Sequence, residues 1–429
     1  MIRRRHPLAL VLLVCALCAV GIVLYGCGSS DSQASSASDS GDGDARRVAD
    51  GGTDPLDDAA TQDAGPGCPR TAAAADRARK VVVSHPFAAD AGVKAKEYEV
   101  VDLSADGTLS HPATPVTFSM GTALSAPIVF TPDGEIGLVA QDDGSIGVFR
   151  LPPGGGPPVV VHAAFDGGFY AGSIILTPDG ARAWVLDSNV AKNNGGVYQV
   201  AIGCDGTLTS LGLVVPGGGA TALSLLPDDP TKALLTAQKA FDSPADKDVH
   251  LIDLALMSTI GSAAPFGDTD AIASSIAVMP GGKHALVADN GPIVGSRLAA
   301  VSLTASGVAP VAVLDTPYPA AVVASPFGNA AIVLNDDSTD QIHVLSYDAS
   351  NAATPFVITG ELAYKFPKPQ IPCTASVIER GSLRGTVLVS ENLAVRKVVF
   401  TPAGGVTDAA RLVWAETFTN IIGVVGVQP

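Results

Sequence analysis

Six histidines lie beyond the N-terminal segment, and they are the first candidates for acid–base chemistry: His85, His111, His162, His250, His284 and His343. A general base needs an imidazole or a carboxylate within hydrogen-bonding reach of the proton that it removes. His250 and His343 each stand second in a predicted strand, so repeat packing explains them better than catalysis. No Gly-x-Ser-x-Gly, His-Glu-x-x-His or phosphate-binding glycine motif occurs. We therefore assign no catalytic residue, metal or cofactor from the sequence.

Polar side chains end several predicted strands and form a possible ligand-facing rim: His85, Asp142, Asn189, Asn290, Asp336, Glu391 and Asn392. A ring of carboxylates and amides is suited to a cation or a small polar ligand. The alternative is structural, because Asp and Asn commonly cap the backbone at hairpin ends. For His85 the alternative is an ordinary surface histidine.

Cysteines suggest both a lipid anchor and a disulfide. Residues Leu24-Tyr25-Gly26-Cys27 close an apolar run that starts after three arginines. A basic start, an apolar run and a small residue before the cut are typical of a secretory signal. In an oxidising compartment Cys68 would pair with Cys204 or with Cys373, and the sequence does not decide between them.

An internal repeat organises the chain from about residue 80. An apolar stretch recurs before a Pro-centred turn at Pro132, Pro178, Pro227, Pro280 and Pro326, with a degenerate copy at Arg380. These positions are 46 to 54 residues apart. Several short strands per repeat with a period of about 40–50 residues are typical of propeller blades.

The two ends of the repeat region complement each other. Residues 79–85 read as a second strand without a first, and residues 420–429 read as a first strand with nothing after it. Sharing one blade between the ends would close the ring and remove exposed sheet edges. The sequence thus predicts an all-β fold, a seven-bladed β-propeller of four-stranded blades closed by a C-terminal inner strand that completes the N-terminal blade.

These repeats resemble the lactonase-type, YVTN-like β-propellers of bacteria. The resemblance rests on Pro178-Asp179-Gly180, on Val185 to Asn189 and on the Asp-Gly-Thr-Leu turn from Asp205 to Leu208. It covers roughly residues 80–429 and implies the propeller fold. It also implies a lactonase or cycloisomerase activity in the central funnel, where catalytic members carry histidines and charged residues.

The N-terminus resembles that of bacterial lipoproteins, whose lipobox cysteine is diacylated. We expect a signal peptide at 1–26, lipidation of Cys27, a disordered Ser/Asp/Gly-rich tether at 27–67, and the propeller at 68–429. An uncleaved membrane helix is the alternative, since 19 apolar residues nearly span a bilayer. The predicted location is the bacterial cell envelope, with the outer membrane preferred.

Charge and the predicted inner strands restrict the function. With 42 acidic and 26 basic side chains and a net charge of −16, the chain is no general nucleic-acid binder. The residues that lead into the predicted inner strands are small and not ionisable. We therefore predict a monomeric, membrane-anchored binding module for an envelope protein or a small polar ligand. A lactonase-like hydrolase or cycloisomerase that uses the central funnel is the alternative.

Overall fold

The computed structural model describes residues 67–88, 94–188, 195–216, 219–237, 248–267, 271, 273–289, 297–335, 341–372 and 374–429. Residues Pro66–Pro429 form one compact unit. The predicted signal peptide, Cys27 and all of the predicted tether except Gly67 lie outside the described residues.

The first three blades follow one another along the chain. Blade 1 contains β1 (Arg79–Phe87), β2 (Lys94–Leu103), β3 (Leu109–Ser110) and β4 (Val116–Ser119). Blade 2 contains β5 (Val129–Phe130), β6 (Ile136–Ala140), β7 (Ile146–Arg150) and β8 (Val159–Phe165). Blade 3 contains β9 (Ala171–Leu176), β10 (Arg182–Asp187), β11 (Gly196–Ile202) and β12 (Leu208–Pro216).

Four more blades repeat this order. Blade 4 contains β13 (Ala220–Leu226), β14 (Asp229–Ala237), β15 (Val249–Asp253) and β16 (Ser258–Ala263). Blade 5 contains β17 (Ala273–Val278), β18 (His284–Asp289), β19 (Arg297–Thr304) and β20 (Gly307–Leu314). Blade 6 contains β21 (Pro319–Ala324), β22 (Ala330–Asn335), β23 (Ile342–Tyr347) and β24 (Phe356–Glu361). Blade 7 contains β25 (Ala375–Val377), β26 (Thr386–Glu391), β27 (Ala394–Phe400) and β28 (Val406–Val413).

The chain ends by returning to blade 1. A short 3₁₀ helix, η1 (Phe418–Asn420), leads to β29 (Val425–Val427), which pairs antiparallel with β1. Blade 1 thus has the order β29-β1-β2, with its outer edge divided between β3 and β4. This arrangement confirms the predicted seven-bladed propeller and its closure by a C-terminal inner strand.

Apolar seams hold neighbouring blades together. Strand side chains alternate between the two faces of a blade, and seven buried clusters fill the spaces between adjacent blades. Between blades 7 and 1, for example, Val81 and Val83 pack with Leu388 and Val395. The blades therefore depend on their neighbours for burial.

Two faces follow from the strand directions. We call the face where the inner strands begin the upper face, and the face where they turn into the second strands the lower face. On the lower face, Asp133 accepts hydrogen bonds from Thr131 Oγ1 at 2.6 Å and from the Glu135 amide at 3.0 Å. The next residue, Gly134, has a φ of 75°, which favours glycine. The predicted Pro-Asp-Gly segments are thus turns that the aspartate caps.

Candidate functional site

A layer of buried polar side chains lies above the apolar seams near the upper face. It contains His85, Gln141, Asp187, Asp289, Asn335 and Glu391, each of them at most 5% exposed. Each stands two residues after a valine of a second strand that packs into the seam with the preceding blade. Side chains two apart in a strand share a face, so these six all face the preceding blade. In blade 4 the equivalent residue is Ala237.

The predicted rim overlaps this layer only in part. His85 and Glu391 belong to it, whereas the predicted Asp142 stands one residue beyond Gln141. Asp142 instead forms an ion pair with Lys94 at 2.6 Å. Asn392 contributes backbone hydrogen bonds to Gln370 and Ile422. The other predicted rim residues, Asn189, Asn290 and Asp336, lie outside the described residues.

Glu391 does not face a ligand, in contrast to the predicted rim position. Its carboxylate is fully buried, pairs with Arg396, and accepts from Arg411 Nε at 2.8 Å. Arg396 also pairs with the buried Asp408 at 2.5 Å, and Asp408 accepts from the amide of Lys365 at 3.0 Å. The network joins β26, β27 and β28 to the segment that enters blade 7. Opposite charges pair within the network, as buried charges require, although Asp408 Oδ1 is buried without a hydrogen-bond partner.

The seam between blades 7 and 1 brings together two histidines, a carboxylate and an indole. Glu99 Oε2 lies 3.3 Å from His85 Nε2, and Glu99 Oε1 lies 3.3 Å from His111 Nδ1. Trp414 Nε1, from the segment after β28, donates to Glu99 Oε2 at 2.7 Å. The ring of Trp414 is edge-on to both imidazoles. We call these four residues the seam cluster.

His85 is the residue of the seam cluster with a free nitrogen. Its side chain is 6% exposed, and its Nδ1 is buried without a hydrogen-bond partner. Because Nε2 faces a carboxylate, the neutral ring carries its proton on Nε2 and leaves a lone pair on Nδ1. An imidazole oriented by a carboxylate in this way is suited to act as a general base.

Three hydrogen-bond partners together favour the ionised form of Glu99. Burial acts to raise the pKa of Glu99, but hydrogen bonds from His85, Trp414 and His111 keep it below its usual range. His111 is 39% exposed, and its Nε2 lies 3.4 Å from the Val413 carbonyl. Both ring nitrogens of His111 thus lie within hydrogen-bonding distance of acceptors.

The central channel has a different chemistry from the seam cluster. None of the described inner-strand residues, in β5, β9, β13, β17, β21, β25 and β29, is ionisable. Hydroxyl groups join neighbouring inner strands instead. The amide of Val322 donates to Ser275 Oγ at 3.1 Å, and the amide of Val427 donates to Ser376 Oγ at 3.2 Å. The inner strands therefore offer hydrogen-bonding groups but no acid or base.

The remaining histidines have hydrogen-bond partners in their own blade or in the neighbouring one. His250 Nδ1 lies 2.8 Å from Ser262 Oγ, His284 Nδ1 lies 3.1 Å from Tyr347 Oη, and His162 Nε2 accepts from the Leu208 amide at 3.3 Å. His343 Nδ1 lies 3.0 Å from Thr316 Oγ1. Within the described ranges, no group of three or more His, Cys, Asp or Glu side chains is arranged to hold a metal ion.

A disulfide attaches the N-terminal segment to blade 3. It joins Cys68 to Cys204, with 5.0 Å between their Cα atoms and 136 residues between them in sequence. This is one of the two pairings that the sequence left open, and Cys373 lies outside the described residues. In the part of the chain that is described, no helix has the length and apolar character needed to span a bilayer.

Comparisons with known proteins address the fold. No protein-family model and no curated protein matches the sequence. The periplasmic gluconolactonase PpgL of Pseudomonas aeruginosa superposes with a TM-score of 0.57 at 13% identity, over 82% of this chain and 99% of that one. A putative 6-phosphogluconolactonase from Bacteroides fragilis gives 0.56 at 12% identity, over 83% and 99%. This chain has the fold of those propellers.

A third solved propeller has a different role. Sqt1 of Chaetomium thermophilum, in complex with the N-terminus of ribosomal protein L10, superposes with a TM-score of 0.50 at 15% identity. The match covers 82% of this chain and 96% of that one. Because one fold serves enzymes and binding proteins alike, function must be argued from the site.

Sequence reasoning singled out His85 but missed its partners. Glu99 lies on β2, His111 follows β3 and Trp414 follows β28, so these residues come from two blades that are far apart in the chain. The polar layer was recognisable in principle, because six second strands read valine, any residue, then a polar residue. The predicted rim residues Asp142 and Asn392 each stand one position after the polar residue of that pattern.

Proposed function

We propose that this protein is a lactonase-like hydrolase that opens cyclic esters at the seam cluster. The observation that carries the proposal is the free Nδ1 of His85, in a ring that Glu99 orients through Nε2. The fold that the chain shares with gluconolactonases supports the substrate class. This replaces the binding module, favoured by the sequence, as the leading hypothesis.

His85 would act as the general base. Its Nδ1 takes a proton from water as the water oxygen attacks the lactone carbonyl, and Glu99 stabilises the resulting imidazolium. The ring C–O bond then breaks, and His85 returns the proton to the leaving alkoxide oxygen. The product is a hydroxy acid. The helix η1 packs against β1, with 5.1 Å between the ring centroids of Phe87 and Phe418. Because His85 Nδ1 is buried, a substrate can reach it only if this segment moves.

The test is hydrolysis of D-glucono-1,5-lactone and its 6-phosphate, followed as acid release and corrected for the uncatalysed rate. H85N should lower kcat by about 10²- to 10⁴-fold, the usual contribution of a general base. E99Q should lower it as well, because the glutamine no longer stabilises the imidazolium. H250N is the matched control, since His250 lies on the third strand of blade 4, where its Nδ1 is 2.8 Å from Ser262 Oγ. Wild-type turnover in H85N, or no turnover by the wild type, would overturn the proposal.

A binding module for an envelope protein or a small polar ligand remains the second candidate. The observation that favours it is the set of described inner strands, which contain no ionisable side chain. Calorimetry with the same lactones separates the two functions. Binding without turnover, unchanged in H85N, would support the module rather than the hydrolase.

We also propose that Cys27 is diacylated after cleavage at Gly26 and anchors a monomeric propeller in the cell envelope. Two acyl chains anchor stably where one chain is marginal. The variant C27S should leave the membrane fraction or accumulate as an unprocessed precursor, as judged by fractionation and mass spectrometry. Membrane retention of C27S at the mature size would contradict the anchor.

A further inference from the structure

The N-terminal segment forms a strap beneath the lower face. We define the strap as residues 67–78. Three backbone amides of the strap donate to backbone carbonyls at 2.8–2.9 Å: Cys68 to Ile202, Arg70 to Asp179, and Ala73 to Pro132. These contacts carry the strap from blade 3 to the inner turn of blade 2.

The far end of the strap packs against blade 7. The Ser382 amide donates to Asp76 Oδ1, and a Cβ placed on Gly381 would lie 2.3 Å from the Ala75 carbonyl oxygen. The strap therefore passes the inner turns of blades 2 and 7 before it enters blade 1. Those turns surround the lower mouth of the central channel.

Three arginines meet where the strap enters blade 1. Arg79 is 2% exposed and donates to the Arg77 carbonyl at 2.9 Å and to the Arg380 carbonyl at 3.5 Å. Arg77 Nη2 donates to the Pro429 carbonyl at 3.4 Å, and Arg380 Nη2 donates to the Pro132 carbonyl at 3.0 Å. One guanidinium group from the strap, one from β1 and one from the inner turn of blade 7 thus converge.

Nearby carboxylates compensate these three groups only in part: Asp133 acts on the charge of Arg77 and Asp76 on that of Arg79, without forming an ion pair with either. Among the described residues, Arg77, Arg79 and Arg380 form no ion pair with an Asp or Glu side chain. Of the two nearest carboxylates, Asp133 is paired with Arg70 at 2.8 Å, and Asp76 accepts from the Ser382 amide.

The arginines also retain unused donors. The Nε atoms of Arg77 and Arg79 are buried without a hydrogen-bond partner. Burial lowers the pKa of Arg77 and Arg79, and the neighbouring arginines lower it further, against a smaller opposing effect of Asp133 on Arg77 and of Asp76 on Arg79. An uncompensated buried charge is costly, and this one occurs in a chain of net charge −16. A bound anion would compensate the remaining positive charge.

We propose that Arg77, Arg79 and Arg380 form a binding site for one small soluble oxyanion between the strap and the lower mouth of the channel. Guanidinium groups bind phosphate and carboxylate oxygens through paired, charge-assisted hydrogen bonds. The burial of Arg79 favours a soluble ion over a lipid headgroup. The site lies on the face opposite the polar layer and does not depend on the proposed hydrolase.

The test is calorimetric titration of the full chain with inorganic phosphate, in parallel with acetate. Thermal unfolding in phosphate and in chloride is compared at matched pH and ionic strength. We expect one phosphate per chain and a higher Tm in phosphate than in chloride. Binding of acetate alone would identify a carboxylate site. Equal Tm values in phosphate and in chloride, with no binding heat from phosphate or acetate, would overturn the proposal.

Variants locate the site. R380Q and R77Q should each weaken phosphate binding by about tenfold or more, as expected for the loss of a charge-assisted hydrogen bond. R380K, which keeps the charge but lacks the paired donors, should fall between R380Q and wild type. R384Q is the matched control, because Arg384 is exposed in the same turn and donates to Pro326 instead. Equal loss in R384Q and R380Q would contradict the assignment. If R380Q fails to fold, the phosphate affinities of R77Q and R380K relative to wild type test the assignment instead.

Discussion

Two glutamates near the upper face show how partners determine what a carboxylate can do. Glu391 pairs with the buried Arg396 and with Arg411, and its own carboxylate is fully buried. Glu99 accepts from neutral or titratable donors and is 13% exposed. A carboxylate of the second kind can orient an imidazole and respond to its protonation. The seam cluster is therefore the better candidate for chemistry, although both groups contribute to packing between strands.

The depressed pKa of Glu99 predicts a specific acid dependence of stability. A carboxyl group with a lowered folded-state pKa contributes stability above its unfolded value, and this contribution is lost as pH falls through the folded value. The Tm advantage of the wild type over E99Q should be largest above about pH 5 and should shrink toward pH 3, given an unfolded Glu pKa of about 4.3. Thermal melts across this range measure it.

A neighbouring glutamate provides the control for this experiment. Glu97 lies two residues before Glu99 on β2 and is exposed, so the Tm difference between wild type and E97Q should change little over the same range. The titratable side chains that face Glu99 are His85 and His111. A wild-type advantage over E99Q that persists unchanged at pH 3 would contradict the assignment.

At the scale of strands and turns, the sequence was most informative where a local rule operates. Pro178-Asp179-Gly180 predicts a turn because aspartate caps it and Gly180 adopts a φ of 65°. The second strands were equally clear, because buried strands read as apolar runs bounded by turn residues. The divided outer edge of blade 1 was not recognisable, since β3 and β4 contain only two and four residues.

Contacts between distant segments account for what the sequence did not predict. Glu99 and Trp414 are 315 residues apart, and Arg77 meets Arg380 only because the ring closes. Nothing in the local sequence around any of these residues indicates a partner. The alternation within second strands could have located the polar layer, but only by counting back from the strand end to the residue that shares a face with the seam valine.

Ring closure determines the organisation of the whole molecule. The strand β29 is the inner strand of blade 1, yet it is separated from β1 by the entire propeller. The amide of Val425 donates to Thr374 Oγ1 at 3.2 Å, and the amide of Ile128 donates to the Val425 carbonyl at 3.3 Å. The last strand thus contacts blades 7, 1 and 2 together. On the lower face, the strap and the Cys68–Cys204 disulfide reinforce the same part of the ring.

Disrupting β29 should therefore destabilise the whole propeller. Val425 is fully buried, and burial of one such side chain contributes about 1.5–3 kcal/mol. A carboxylate at this position would also be desolvated without a partner. Since domains are commonly stable by only about 5–15 kcal/mol, V425D should unfold or aggregate the protein.

The matched control is V357D on β24, where the valine is 54% exposed and the carboxylate stays in water. Both variants are compared by thermal unfolding and size-exclusion chromatography. If V425D had the same Tm as the parent and eluted as a monomer, the ring would close without β29, which would contradict the prediction.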